Sequence, residues 1–282
     1  MKFVLNKKTF NFHISIFNFL IMNLFYAPDI AQTLSLPEEE SQHCVKVLRM
    51  KSGDHIHIID GVGGLYEAQI TEAHPKRTQV EILNVQTEYG RRPFRLHLAV
   101  APTKNIDRFE WFVEKATEIG FDELTPLCCR YSERKIIKPE RIEKILVSAA
   151  KQSLKAYVPR LNPMVTFKEF ISKYASKETE CSPKLGELPE AEGCVNYSFL
   201  TPHSSLFIAH CYDQPKQHLL HACPPASDVV VMVGPEGDFS EEEVELALRN
   251  SFQAITLGES RLRTETAGVV ACHLVTVANI TK

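Results

Sequence analysis

The chain has 282 residues, of which 44% are hydrophobic and 24% charged, with eight cysteines and a formal net charge of −3. That length exceeds the roughly 250 residues at which single cores stop growing, so two domains are expected. The composition excludes a collagen-like, fibrous or wholly disordered protein.

The cysteines (Cys44, Cys128, Cys129, Cys181, Cys194, Cys211, Cys223 and Cys272) form no C-x-x-C pair and no cysteine–histidine cluster of zinc-finger spacing. They read as reduced thiols of a cytoplasmic protein, with no metal called for. The acidic total conceals a basic stretch, because residues 91–160 carry 15 Lys and Arg against nine Asp and Glu. Phosphate binding needs a local field of this kind rather than a global one.

Residues 1–21 place lysines before an apolar run, in the manner of an export signal, yet Asn11, His13 and Asn18 interrupt the run and no small-x-small cleavage site follows. The run is also too short and too polar to span a bilayer. Met22 opens MNLFYAPDI, a better start for a folded domain, so 1–21 are expected to be an upstream extension with translation beginning at Met22. A helix with an apolar stripe and basic residues is predicted over 37–48. The stretches 53–61, 65–73 and 77–85 then alternate apolar and polar residues between turns, which suggests a small β-barrel. Gly61-Val62-Gly63-Gly64 precedes a strand and not a helix, so it is predicted to be a hairpin turn rather than a dinucleotide fingerprint.

A linker is expected at 88–93, and the pattern then changes to strand–helix alternation. LHLAVAP is a continuous apolar run, as in a strand covered on both faces. In the following helix Phe109, Phe112, Val113, Ala116 and Ile119 fall on one stripe. ELTPLCC reads as a strand, PERIEKILVSAAKQSL as a helix with Pro139 in its first turn, and FIAHC, VVVMV and AITLG as three buried strands. A closing helix is predicted over 266–278 and a loop over 176–204. The division is a β domain over 22–90 and an α/β domain over 91–282.

Two segments concentrate chemistry. VVVMV runs into Gly234-Pro235-Glu236-Gly237-Asp238 and then a helix, with Ser240 and Glu243 spaced as a capping box. A glycine turn at the carboxyl end of a parallel strand is where open α/β sheets bind small molecules. The second segment, Leu257-Gly258-Glu259-Ser260-Arg261-Leu262-Arg263-Thr264-Glu265, again ends a strand in glycine and offers two arginines suited to phosphate or a polarised carbonyl. No P-loop, H-E-x-x-H or G-x-S-x-G occurs, so NTPase, zinc-protease and serine-hydrolase readings lose support. His97, His210 and His273 sit in apolar runs and read as core or surface residues rather than ligands.

GPEGDFS followed by LGESRLRTETA resembles the C-terminal signature of the SPOUT-superfamily methyltransferases that modify uridine N3 in small-subunit (16S) ribosomal RNA. KNIDRFEWFVEKATEIGFDELTP over 104–126, AAKQS over 149–153 with Pro159, and HCVKVLRMKSG over 43–53 are similar to further motifs of that family. The resemblance implies an α/β knot, a trefoil-knotted parallel sheet, behind an N-terminal PUA-like β-barrel. It also implies a homodimer, S-adenosylmethionine as cofactor and 16S ribosomal RNA as partner, within the assembled small subunit and away from membranes. Carried over by position, Leu206, Ala209, His210, Gly234, Pro235, Glu236, Gly237, Leu257, Gly258, Leu262 and Arg263 would wrap the cofactor. Asp238 and Ser260 depart from the pattern of many relatives.

Uracil N3 carries a proton and lies on the pairing edge, so the base must be unpaired and deprotonated before it accepts a methyl group. Arg263 is expected to stabilise the developing anion. Glu236 or Glu265 would accept the proton or orient the loops, and Arg49, Lys51, Arg134 and Lys138 would hold RNA phosphates. The alternatives are another SPOUT enzyme acting on transfer RNA or ribose 2′-oxygen, and a non-catalytic RNA-binding protein.

Overall fold

The computed structural model describes residues 23–175 and 204–280, so the expectations for 1–21 and for nearly all of 176–204 lie outside the described residues. The chain forms β1 (Leu24–Tyr26), α1 (Ile30–Thr33), α2 (Glu38–Gln42), a π-helical turn (His43–Val47), β2 (His55–Ile59), β3 (Leu65–Glu72) and β4 (Gln79–Gln86). It continues with β5 (Leu96–Val100), α3 (Ile106–Ile119), β6 (Glu123–Cys128), α4 (Pro139–Gln152), β7 (Arg160–Leu161), β8 (Val165–Thr166) and α5 (Phe167–Ala175). The last elements are β9 (Ser205–Ala209), β10 (Gln217–His218), α6 (Leu219–Ala222), β11 (Val229–Val233), α7 (Glu241–Arg249), β12 (Gln253–Thr256) and α8 (Thr264–Ile280). Among the described residues no helix is long and apolar enough to cross a membrane.

Two compact units result. The first joins the described part of Met1–Arg91 to Ala150–Val158, a segment that the sequence assigned to the second domain; the other holds Arg92–Ala149 and the described parts of Pro159–Lys282. In the first, β1 lies parallel to β2, while β2, β3 and β4 are antiparallel. The chain leaving β1 crosses to the far edge, where Leu36 N donates to Thr78 O and Val80 N to Leu34 O. One segment therefore pairs with both edges of the sheet and nearly closes it, as the alternating pattern predicts. Phe25, Ile30, Leu36, Ile56, Ile58, Ala68, Ile70 and Val80 fill its core. The glycine-rich stretch between β2 and β3 is a hairpin connection, with Asp60 Oδ1 accepting from Val62 N and Gly64 N, both at 2.8 Å. The helix predicted over 37–48 is instead a short α-helix that slips into a π turn and ends where Arg49 takes φ +56°.

The second unit is built on a parallel sheet in the order β10-β12-β9-β11-β5-β6-β7, with β8 also paired to β6. Every residue of β5 and β11 is buried, as expected of central strands covered on both faces. Helices α3 and α8 pack side by side, and Gly268 permits the approach: a Cβ there would stand 2.5 Å from Phe112 Cε2. Within β5, His97 is fully buried, its Nε2 2.7 Å from Thr125 Oγ1 and its Nδ1 2.9 Å from Tyr174 on α5. Burial, with Lys173 adding to it, drives its pKa down to about 3, so the ring is neutral. Its apolar surroundings in sequence thus correspond to a satisfied core histidine.

Candidate functional site

The carboxyl ends of β9, β11 and β12 open into one cleft of about 910 Å³, lined by residues of the loops that follow them. Strand order reverses at β5, with β6 on one side and β11, β9 and β12 on the other. The cleft thus sits beside a topological switch point.

The loop after β11 is the Gly-Pro-Glu-Gly turn. Gly234 and Pro235 are buried, while Glu236 and Gly237 are exposed. Asp238 takes φ +67°, a left-handed conformation that aspartate adopts more readily than most residues. This is why an aspartate can serve at a turn position that favours glycine. Its carboxylate accepts from Cys211 N at 2.7 Å and from Phe239 N at 2.8 Å, tying the β9 and β11 loops together. The turn then enters α7 through a complete capping box: Ser240 Oγ accepts from Glu243 N and Glu243 Oε2 from Ser240 N.

The loop after β12 carries Leu257, Gly258, Leu262 and Arg263, all at the cleft. Gly258 takes φ +142° with nothing within 4 Å of a Cβ placed there, so this backbone is open to a ligand. Thr264 Oγ1 donates to Gly234 O at 3.0 Å and fastens this loop to the Gly-Pro-Glu-Gly turn. The two motifs, whose first residues Gly234 and Leu257 are 23 apart in sequence, are one wall.

Of the residues expected at the cofactor, Ala209, His210, Gly234, Pro235, Glu236, Gly237, Leu257, Gly258, Leu262 and Arg263 line the cleft. Leu206 does not. It lies near the start of β9, packed against the core, three residues and about 10 Å short of the strand's mouth. The loop that follows β9 supplies lining residues absent from the expected set, among them Cys211, Tyr212 and Lys216. Lys216 Nζ donates to His210 O and Tyr212 O at 2.8 and 2.7 Å and folds that loop on itself. The only signal for them in sequence is their place after a buried strand. His210 is 6% exposed, and neither ring nitrogen has a hydrogen-bond partner. Burial, aided by Lys216 and opposed by Asp238, lowers its pKa and keeps the imidazole neutral.

The two candidate carboxylates differ in setting. Glu236 is exposed at the cleft, with Oε1 accepting from Lys104 N at 2.9 Å. Glu265 is buried on α8 towards α3, its Oε1 3.9 Å from Arg108 Nε and its Oε2 without a partner. It does not pair with Arg263, whose side chain is exposed and makes no ion pair among the described residues. Of the residues expected to meet RNA, Arg49, Lys51 and Lys138 are exposed. Arg134 is half-buried and donates to Thr103 O and Lys104 O at 3.0 and 2.7 Å.

Residues 90–276 match the RNA methyltransferase domain family and residues 36–83 the RNA methyltransferase PUA domain. The ribosomal RNA small subunit methyltransferase E of Synechocystis sp. is 31% identical over 88% of this chain and 75% of its own. A crystal structure of a probable rRNA-methyltransferase from Porphyromonas gingivalis is 37% identical with TM-score 0.78, covering 92% of this chain and 99% of that one. The ribosomal RNA small subunit methyltransferase E of Neisseria gonorrhoeae, crystallised with S-adenosyl methionine, is 26% identical with TM-score 0.70, covering 92% of this chain and 98% of its own. With its parallel sheet, its two fastened glycine loops and these matches along nearly all its described length, the chain belongs to the family of ribosomal RNA small subunit methyltransferase E.

Proposed function

We propose that this protein methylates N3 of a uridine in 16S ribosomal RNA, using S-adenosylmethionine bound in the cleft at the ends of β9, β11 and β12. The observation that carries the reading is the joined wall of the cleft: two glycine loops bonded through Thr264 and Gly234, with Arg263 unpaired beside them. The cofactor fits what is there. The cleft is within the usual size of small-molecule sites, about 300–1,000 Å³. Gly258 leaves backbone open, His210 has two unsatisfied nitrogens, and Glu236, Asp238 and Glu259 favour a cation. When bound, S-adenosylmethionine supplies the electrophilic methyl group.

The chain's own residues then have separable tasks. Ala209, Gly234, Pro235, Gly237, Leu257, Gly258 and Leu262 shape the cleft, and Arg263 offers its guanidinium to a uracil carbonyl as N3 loses its proton. Glu236 is the better placed of the two acids to take that proton, since it lies at the cleft with one oxygen steadied by Lys104 N. Glu265, away from the cleft lining and between the N-terminal ends of α3 and α8, is a positioning group. Arg49 and Lys51 on the first unit, and Lys138 on the second, hold phosphates, while Arg134 pins the loop that carries Lys138.

The finer features follow the same reading. The first unit, with Ala150–Val158 joined to it, serves RNA holding and the second methyl transfer, and the protein works in the cytoplasm on the assembled small subunit. A trefoil knot in the sheet belongs to the same reading and is supported by the passage of the chain from β12 past the β11 loop, where Thr264 is bonded, on to α8. A homodimer is supported by α8, which is apolar nearly all round with Val269, Val270 and Leu274 only partly buried, and by Trp111 of α3 at 45% exposure.

The test is tritiated methyl transfer to small ribosomal subunits lacking the modification, beside naked 16S RNA and transfer RNA, with nucleoside analysis. Label as 3-methyluridine in the subunit RNA is the expected outcome. Label only in transfer RNA, or on ribose, would replace the target while keeping the enzyme class.

A further inference from the structure

The loop from Cys129 to Lys138 leaves β6 at the same sheet edge as the cleft. It is anchored at several points. Cys129 N donates to Ser132 Oγ at 2.9 Å, and Arg130 donates through N to Glu243 Oε1 at 2.8 Å and through Nη1 to Glu242 Oε2 at 2.9 Å. Arg134 holds the Thr103 and Lys104 carbonyls, and Lys104 N in turn holds Glu236. The loops after β5, β6 and β11 are therefore one rigid rim. These bonds take up the arginines and leave a different set of side chains facing water.

Between the anchors at 130 and 134 stands Tyr131, 48% exposed. Its Cβ lies 3.0 Å from where a Cβ on Gly237 would sit, so it rises directly beside the Gly-Pro-Glu-Gly turn at the lip of the cleft. Nearby stands Tyr212, a cleft residue whose hydroxyl donates to Phe239 O at 2.7 Å and whose pKa is raised by burial first, then by Asp238 and Glu241, with Tyr131 adding to it. Among the described residues the Tyr131 hydroxyl has no hydrogen-bond partner. Farther along the loop Lys135 and Lys138 are exposed, and between them Ile136 is 78% exposed at a cavity of about 470 Å³ lined also by Ile106, Ile137 and Ile142. Residues 129–138 hold four basic side chains and one acidic one, Glu133, itself paired with Lys104. An exposed aromatic ring held rigidly between cations fits a single-stranded polyanion with flat bases.

We propose that Tyr131 is the stacking platform for an unpaired nucleobase of the RNA next to the methylated one, with Lys135 and Lys138 holding the flanking phosphates. The inference rests on the RNA substrate proposed above. A uridine drawn out of its stack leaves its neighbour with an uncovered face, and Tyr131 offers a replacement surface at the lip where that neighbour passes.

The experiment uses the full chain. Tyr131→Leu is expected to raise KM for unmodified small subunits about 10–100-fold, the size of one lost base stack. Its Kd for S-adenosylmethionine by calorimetry should stay within about twofold, and Tyr131→Phe should behave as the parent. Trp111 is the only tryptophan, so Tyr131→Trp in a Trp111→Phe background places a single reporter on the platform. Its fluorescence should be quenched saturably by subunits and by a single-stranded uridine-rich oligoribonucleotide. An unchanged KM in Tyr131→Leu, absence of quenching, or an equal loss of cofactor affinity (a mere prop for the Gly237 turn) would each overturn the assignment. A parent protein that binds cofactor yet neither binds nor methylates any RNA would overturn the functional reading itself, a result visible before any variant is made.

Discussion

Asp238 does two jobs that glycine could not combine: it tolerates φ +67° and its carboxylate bonds two loops. Asp238→Asn should retain cofactor affinity, because asparagine shares the left-handed tolerance and keeps one carbonyl oxygen. Asp238→Ala should lose about 1–3 kcal/mol of stability from backbone strain and the missing bonds, measured by denaturant unfolding, with weaker cofactor binding by calorimetry. His97 makes a second residue-scale prediction. Its native pKa of about 3 lies below the ordinary 6.5, so the unfolded chain takes up a proton at mildly acid pH that the native chain refuses. Stability from this group is complete above pH 6.5 and falls as pH drops towards 3, by about 2 kcal/mol between pH 7 and pH 5. Urea unfolding across that range should show the slope, and His97→Gln, which hydrogen-bonds without titrating, should remove this share of it.

Among the elements, the decisive bond joins α8's first residue to the β11 loop. Thr264→Val would leave the buried Gly234 carbonyl without its partner, at about 1–3 kcal/mol, and should weaken S-adenosylmethionine binding more than it lowers Tm would suggest. A variant that destabilises the fold without touching cofactor affinity would separate the two loops' roles. The long elements were legible because each carries its own periodicity: β5 and β11 as unbroken apolar runs, α3 as a single stripe, α7 by its capping box. The two-residue strands β7, β8 and β10 are too short to hold a period, and the π turn at His43–Val47 shares its apolar stripe with an ordinary helix. Within the site, the glycine loops announce themselves by composition. Cys211, Tyr212 and Lys216 do not, since only folding brings their loop against Asp238. Leu206 shows the converse, a residue in the right strand but too far from its mouth. Glu265 is also set apart by the fold, because the helical turn after Thr264 points it at Arg108 instead of Arg263.

For the whole molecule, the apolar character of α8 together with Trp111 makes association the expected behaviour. Sedimentation should give a dimer, and Val270→Glu should shift it to monomer while circular dichroism stays unchanged. A parent that sediments as a monomer at micromolar concentration would remove the homodimer. The first unit's dependence on Ala150–Val158 has a consequence for synthesis. Gly63 N donates to Ala156 O, Val158 N donates to Gly61 O, and Ala156 is buried with Ile59 and Leu65. The N-terminal sheet thus waits for a strip of chain made 59 to 67 residues after Arg91. At roughly 5–20 residues per second that is a delay of several seconds during translation. Over that interval Ile59 and Leu65 lack their cover, so this unit matures in step with its neighbour rather than ahead of it. A nascent chain stalled before residue 150 should be cleaved readily near the β2–β3 hairpin by a protease that spares one stalled well past residue 158.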